Sequence, residues 1–193
     1  MNEFKEQFQK SRSFAEEDKE IIRRFFHSTD EVVQAPDELD KRGADYIVTI
    51  YNRNSSPIYV DVKRREGNDY VKYWKNGEPE LALETYSIIA EDGNNKYGWT
   101  VDWHKITDYV LYVFPDDVCT KRWMFPYQQL KSAFVTHFNE WKNMGYSIKR
   151  EKNNGYTSEA MFVPVSAVIK AINECMVMDK DTVWFKKINK TGG

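Results

Sequence analysis

The stretch Gly43-Ala-Asp45-Tyr-Ile-Val-Thr-Ile50, followed after a polar interval by Ile58-Tyr-Val-Asp61-Val-Lys63-Arg-Arg65, decides how this chain is read. Residues 44–51 form a β-rich run continuous enough for a buried strand, and residues 58–65 form a second. NRNSSP (52–57) between them has turn composition, so the pair predicts a hairpin. Side chains alternate along a strand, which places Asp61 and Lys63 on one face and Val60 and Val62 on the other. Asp45 opens the first strand, and the hairpin can carry it to the same end of the sheet.

Whether Asp45 shares the face of Asp61 depends on register. Opposed residues of an antiparallel pair keep a constant sum of residue numbers, and only an even sum puts Asp45 with Asp61 and Lys63. A loop centred between residues 54 and 55 gives an odd sum. A shared site therefore requires an asymmetric loop or a bulge near one of the aspartates.

Upstream, Ser13 and Glu16 make an S-x-x-E box that predicts a helix over 14–27. Phe14, Asp18, Ile21, Ile22, Phe25 and Phe26 fall on one side of it. Asp18, and to a lesser degree Glu17, thus borders an apolar face. Residues 2–12 read as a helical segment or frayed arm, and 28–43 as a short strand VVQA and a turn-rich loop. Downstream, strands are expected at 81–90, 108–115 and 121–126, with a smaller element at 69–74. A helix is expected over 127–144, where Leu130, Phe134, Phe138 and Trp141 recur at spacings of three and four and Gly145 ends the run. A β-pair (146–151 and 159–163) leads to a helix from about Val165 to Cys175, with Pro164 at its start, and VWFKKI (183–188) reads as a last edge strand. This order predicts an α+β (mixed α/β) fold with a central mixed sheet flanked by helices. No repeat or linker divides the 193 residues, so one domain over 1–193 is expected, with a motif-bearing core in 13–90 and a C-terminal elaboration in 91–193.

Composition narrows the chemistry. No apolar run approaches the roughly 20 residues of a spanning helix, and the N-terminus has no apolar signal segment. A soluble cytoplasmic protein with no membrane partner is the expectation. Cys119 and Cys175 are too few and too far apart for a disulfide framework, and His27, His104 and His137 lack the spacing of an imidazole zinc site. The net charge of −2 argues against a protein that coats nucleic acid. It argues less against an enzyme, which needs only a local basic rim. A hard-cation site built from carboxylates remains. Asp45 and Asp61 suit such an ion, which polarises a phosphate and activates water. Lys63 beside them would stabilise charge building on the phosphate or orient the nucleophile.

Taken together, EDKEIIRRFF, GADYIVTI and IYVDVKRR resemble the PD-(D/E)xK nuclease superfamily, its Holliday-junction resolvase-like members in particular, over residues 13–66. The resemblance implies a restriction-endonuclease-like core and a Mg²⁺- (or Mn²⁺-) dependent (endo)deoxyribonuclease with DNA as partner. It implies a catalytic set of Asp45, Asp61 and Lys63 completed by a helix acid, for which Asp18 matches best and Glu17 and Glu20 are alternatives. Asp45, Asp61 and Asp18 would then be the metal ligands. A homodimer is the arrangement by which many duplex cutters pair two sites. Two departures stand out: the helix acid is aspartate where glutamate is usual, and no proline directly precedes Asp45.

Each of these residues also has a structural explanation. Asp45 can bond its own turn, Asp61 and Lys63 can form a surface ion pair, and Asp18 can be a solvated helix acid. Glu84, inside LALETYSI, is either a site residue or an outward-facing edge residue. Trp99, Trp103 and Trp123 offer stacking faces for bases, although aromatics at 15% more often fill a core. The alternative function is a non-catalytic nucleic-acid-binding or adaptor protein that retains a nuclease-like fold.

Overall fold

Thirteen elements follow one another in the computed structural model, which describes residues 14–26, 29–50, 56–65, 71, 74, 77–90, 93–116, 119, 121–153 and 156–176. They are α1 (Ala15–Phe25), β1 (Thr29–Gln34), α2 (Asp37–Asp40), β2 (Tyr46–Ile50), β3 (Ile58–Arg64), β4 (Glu80–Ile89) and β5 (Lys96–Tyr97). Then come β6 (Tyr109–Val113), β7 (Arg122–Pro126), α3 (Tyr127–Asn143), β8 (Ile148–Asn153), β9 (Tyr156–Pro164) and α4 (Val165–Met176). The segments expected at 2–12 and 183–188, and all but two residues of the one at 69–74, lie outside the described residues. The helix expected from a Ser13 cap starts instead after Phe14, which has no capping side chain, and Glu16 pairs with Lys19 at 2.7 Å.

The fold is α+β, but the strands divide into two sheets rather than one. The first is mixed, with order β1-β2-β3-β6-β7, in which only β3 and β6 run parallel. The second is antiparallel, with order β5-β4-β9-β8. A physical constraint connects them. Two parallel neighbours need a long crossover, and the segment between β3 and β6 contains β4 and β5, which pair elsewhere.

Each face of the mixed sheet meets a different partner. One face presents Tyr46, Val48, Val60, Leu111 and Val113 to Ile22 of α1. The other presents Val110 and Tyr112 to a larger core with Leu81 and Leu83 of β4, Met161 and Val163 of β9, and Leu130, Phe134 and Trp141 of α3. The Tyr112 hydroxyl accepts the Ala82 N–H at 3.0 Å and so ties the two sheets together. In the parallel pair Asp61 stands beside Val110 and Lys63 beside Tyr112. Both charged side chains therefore project on the side of the second sheet.

Candidate active site

Register decides the first question about the site. Tyr46 pairs with Val60 and Val48 with Ile58, an even register whose extension by one residue would set Asp45 against Asp61. This pairing has the even parity that a shared site required. The ladder stops at Tyr46, and Asp45 then takes over: its Oδ2 accepts the Val62 N–H at 2.6 Å, while its own N–H donates to the Val60 carbonyl at 2.9 Å. Asp45 thus bonds the neighbouring strand rather than its own turn.

Asp61 is 1% exposed, and both of its oxygens are engaged. Oδ1 accepts from Lys63 Nζ at 2.7 Å and Oδ2 from Lys105 Nζ at 2.6 Å. Burial works against the Asp61 charge, but the two ammonium groups prevail and hold the carboxyl down at about 2. Asp45 behaves in the opposite way. Burial, and then the charge of the adjacent Asp61 carboxylate, push its carboxyl up to about 7. Two neighbouring carboxyls with divided acidity show that this pocket disfavours two bare negative charges. Lys63 is half-buried, and the Asp61 and Asp45 carboxylates hold its ammonium well above the ordinary lysine range. Burial and the Lys63 charge pull Lys105 down.

Lys105 is a site residue that sequence reasoning missed. It lies on the connection between β5 and β6, 44 positions from Asp61, and no motif marks it. Its approach requires Gly43, whose φ is +88° and where a Cβ would come within 2.7 Å of Lys105 Nζ. The backbone there is clamped: Gly43 O accepts the Thr107 hydroxyl, and Arg42 O accepts the Ile106 N–H at 3.1 Å. The G-x-D pattern thus has a second physical content, since the glycine admits a lysine to the aspartate on the neighbouring strand.

Glu84 of β4 is half-buried, accepts the Trp99 N–H and lies within electrostatic reach of the cluster. Burial raises its carboxyl, while the Trp99 N–H (3.2 Å from Oε2) and the charges of Lys63 and Lys105 act the other way. Gly98 lets this contact form, because a Cβ there would lie 2.4 Å from the Glu84 carbonyl oxygen. Of the three tryptophans, Trp99 and Trp123 pack against the larger core, and Trp99 lies 5.7 Å below Lys63 Nζ. Trp103 is 74% exposed, with Lys131 Nζ 3.8 Å above its ring.

The helix acids are placed elsewhere. Asp18 is buried on the α1 side of the mixed sheet, where its Oδ1 pairs with Arg64 and its Oδ2 accepts the Tyr46 hydroxyl at 3.2 Å. Glu17 stands 3.4 Å from Arg64 and 4.0 Å from Arg122. Glu20 pairs with Arg24 at 3.3 Å. Alternation along β3 explains the separation: Arg64 faces the helix, whereas Asp61 and Lys63 face the second sheet.

Among the described residues no three carboxylate, imidazole or thiol side chains form a ready cation cage. The donor set nevertheless suits a hard divalent ion, since Mg²⁺ binds through one or two carboxylates and completes its shell with water and phosphate oxygens. Cys119 and Cys175 are free thiols, as the cysteine spacing suggested. No described helix is long and apolar enough to cross a membrane. Comparison with known protein families, with characterised proteins and with solved structures gives no match.

Proposed function

We infer that this protein is a metal-dependent phosphodiesterase acting on nucleic acid, of the PD-(D/E)xK type that its motifs resemble. The observation that carries this reading is the placement of Asp45 beside Asp61 at the β2–β3 hairpin, Asp45 half-buried and Asp61 buried, with Lys63 paired to Asp61 on the same face. Two carboxyls forced together in low dielectric are poorly arranged for stability alone. They are well arranged for a divalent cation.

Asp45 and Asp61 would hold Mg²⁺ or Mn²⁺. When bound, the ion would polarise the phosphate and make the attacking water more acidic. Lys63 stays charged between the two carboxylates, which suits it to donate to a non-bridging phosphate oxygen and not to take up a proton. Glu84 holds the Trp99 backbone N–H within electrostatic reach of Lys63 and Lys105. Trp103 offers an exposed ring with Lys131 over one face, and a base can stack on such a ring. Asp18 and Glu17 are assigned a supporting role: they neutralise Arg64 and orient β3 from behind. DNA is the substrate class implied by the resolvase-like resemblance, and a symmetric dimer is the assembly it suggests.

The test is cleavage of a panel of DNA duplexes, junctions and single strands with Mg²⁺ or Mn²⁺. Asp61→Ala and Lys63→Ala should each lower the rate by at least about 100-fold, the scale of losing a preorganised electrostatic group. Undiminished cleavage by Lys63→Ala would remove the assigned role. A second reading, a non-catalytic adaptor, is favoured by one specific observation: Asp61 is already satisfied by two lysines. It predicts no Mn²⁺ binding by calorimetry and no cleavage by any form of the chain.

A further inference from the structure

We propose that Lys105 is a built-in counter-ion, which occupies Asp61 while no cation is bound and which a divalent cation must displace. This rests on the reading that Asp45 and Asp61 form a cation site.

A buried carboxylate at 1% exposure needs compensating positive charge. Lys63 and Lys105 both supply it, but they are attached differently. Lys63 rides on β3 itself, two residues from Asp61, so its position follows from the strand. Lys105 reaches in from an irregular connection, over the surface left bare by Gly43. The backbone of that connection is anchored on both sides of the lysine. Ile106 and Thr107 bond Arg42 and Gly43, and the Tyr127 hydroxyl bonds the Trp99 and Asp102 carbonyls at 2.9 Å. The element free to move is therefore the four-carbon stem of Lys105.

A hard cation coordinates carboxylate oxygen at roughly 2.0–2.6 Å. Lys105 Nζ lies 2.6 Å from Asp61 Oδ2, so the ammonium already holds the place a ligand-bound ion would take on that oxygen. Two like charges packed that closely in a dry pocket repel strongly. The cation and the Lys105 contact are thus alternatives. Once displaced, the ammonium remains tethered at the pocket mouth, where a phosphate is its natural partner. Cation arrival then turns a self-neutralised cluster into an anion-binding one.

Calorimetric titration of the full chain with Mn²⁺ tests this, using wild type, Lys105→Met and Asp61→Asn. If Lys105 occupies Asp61 most of the time, the competent fraction is small and Lys105→Met should bind Mn²⁺ about tenfold tighter or more. Asp61→Asn should lose that binding, which locates the ion. Equal or weaker binding by Lys105→Met overturns the proposal while leaving the cation site intact. No binding by any form removes the cation site and the proposal with it. A wild-type readout needs no variant. In a Mg²⁺ titration followed by lysine side-chain ¹⁵N resonances, the Lys105 ammonium signal should shift in step with binding. A signal unchanged at saturation also overturns it.

Discussion

Asp45 carries the tension of the site at the scale of one residue. Its carboxyl is pushed up to about 7 by burial and by Asp61, against roughly 3.9 in an unfolded chain. Between these values the folded state holds more protons than the unfolded one, so this group lowers stability as pH rises through the window. Asp45→Asn keeps an acceptor for the Val62 N–H and removes the charge. In a chelator at pH 8 the variant should melt above wild type, and near pH 4, where both side chains are neutral, the difference should shrink. Thermal melts at the two pH values check it, and a variant that melts lower at pH 8 would refute the account. Asp61 shows the opposite sign: its lowered pKa contributes stability above the unfolded value, and this is lost as pH falls towards about 2.

At the scale of elements, α1 is fastened to β3 through a charge pair, not only through Ile22. Arg64→Met leaves Asp18 buried without its cation and should cost about 3 kcal/mol or more in denaturant unfolding. Adding Asp18→Asn should recover much of that loss, because the uncompensated charge then disappears. Asp18→Asn alone should leave Mn²⁺ affinity near wild type; a large fall would bring the helix acid back into the cation site. The same alternation that sends Arg64 to the helix sends Asp61 and Lys63 to the second sheet. A strand thus serves packing on one face and chemistry on the other.

The two sheets act as one body through their shared core. Tyr112 reaches from β6 to the Ala82 N–H of β4, and Leu81, Leu83, Met161 and Val163 pack against the same cluster. Tyr112→Phe strands that N–H and should cost about 1–3 kcal/mol. Near-ultraviolet and far-ultraviolet melts should still coincide, since both sheets bury a common set of side chains. Separate transitions would show that the sheets unfold independently.

The sequence by itself determined the local content: the strands at 46–50 and 58–64, the helices at 127–143 and 165–176, and the shared face of Asp61 and Lys63. These follow from periodicities of 2 and 3.6 that a few neighbouring residues suffice to express. Asp45 was legible as a candidate but not as a partner, because a hairpin register depends on the geometry of its loop. The division into two sheets was not legible, since apolar strands carry no label for their neighbours. Glu84 stood out only as an acid in an apolar strand; its bond to the Trp99 N–H depends on Gly98 lying against it. Only the tertiary structure decided that Asp18 lies behind the sheet and that Lys105, far along the chain, lies on Asp61. Contacts of that kind arise where folded surfaces meet, and no spacing within a single element encodes them.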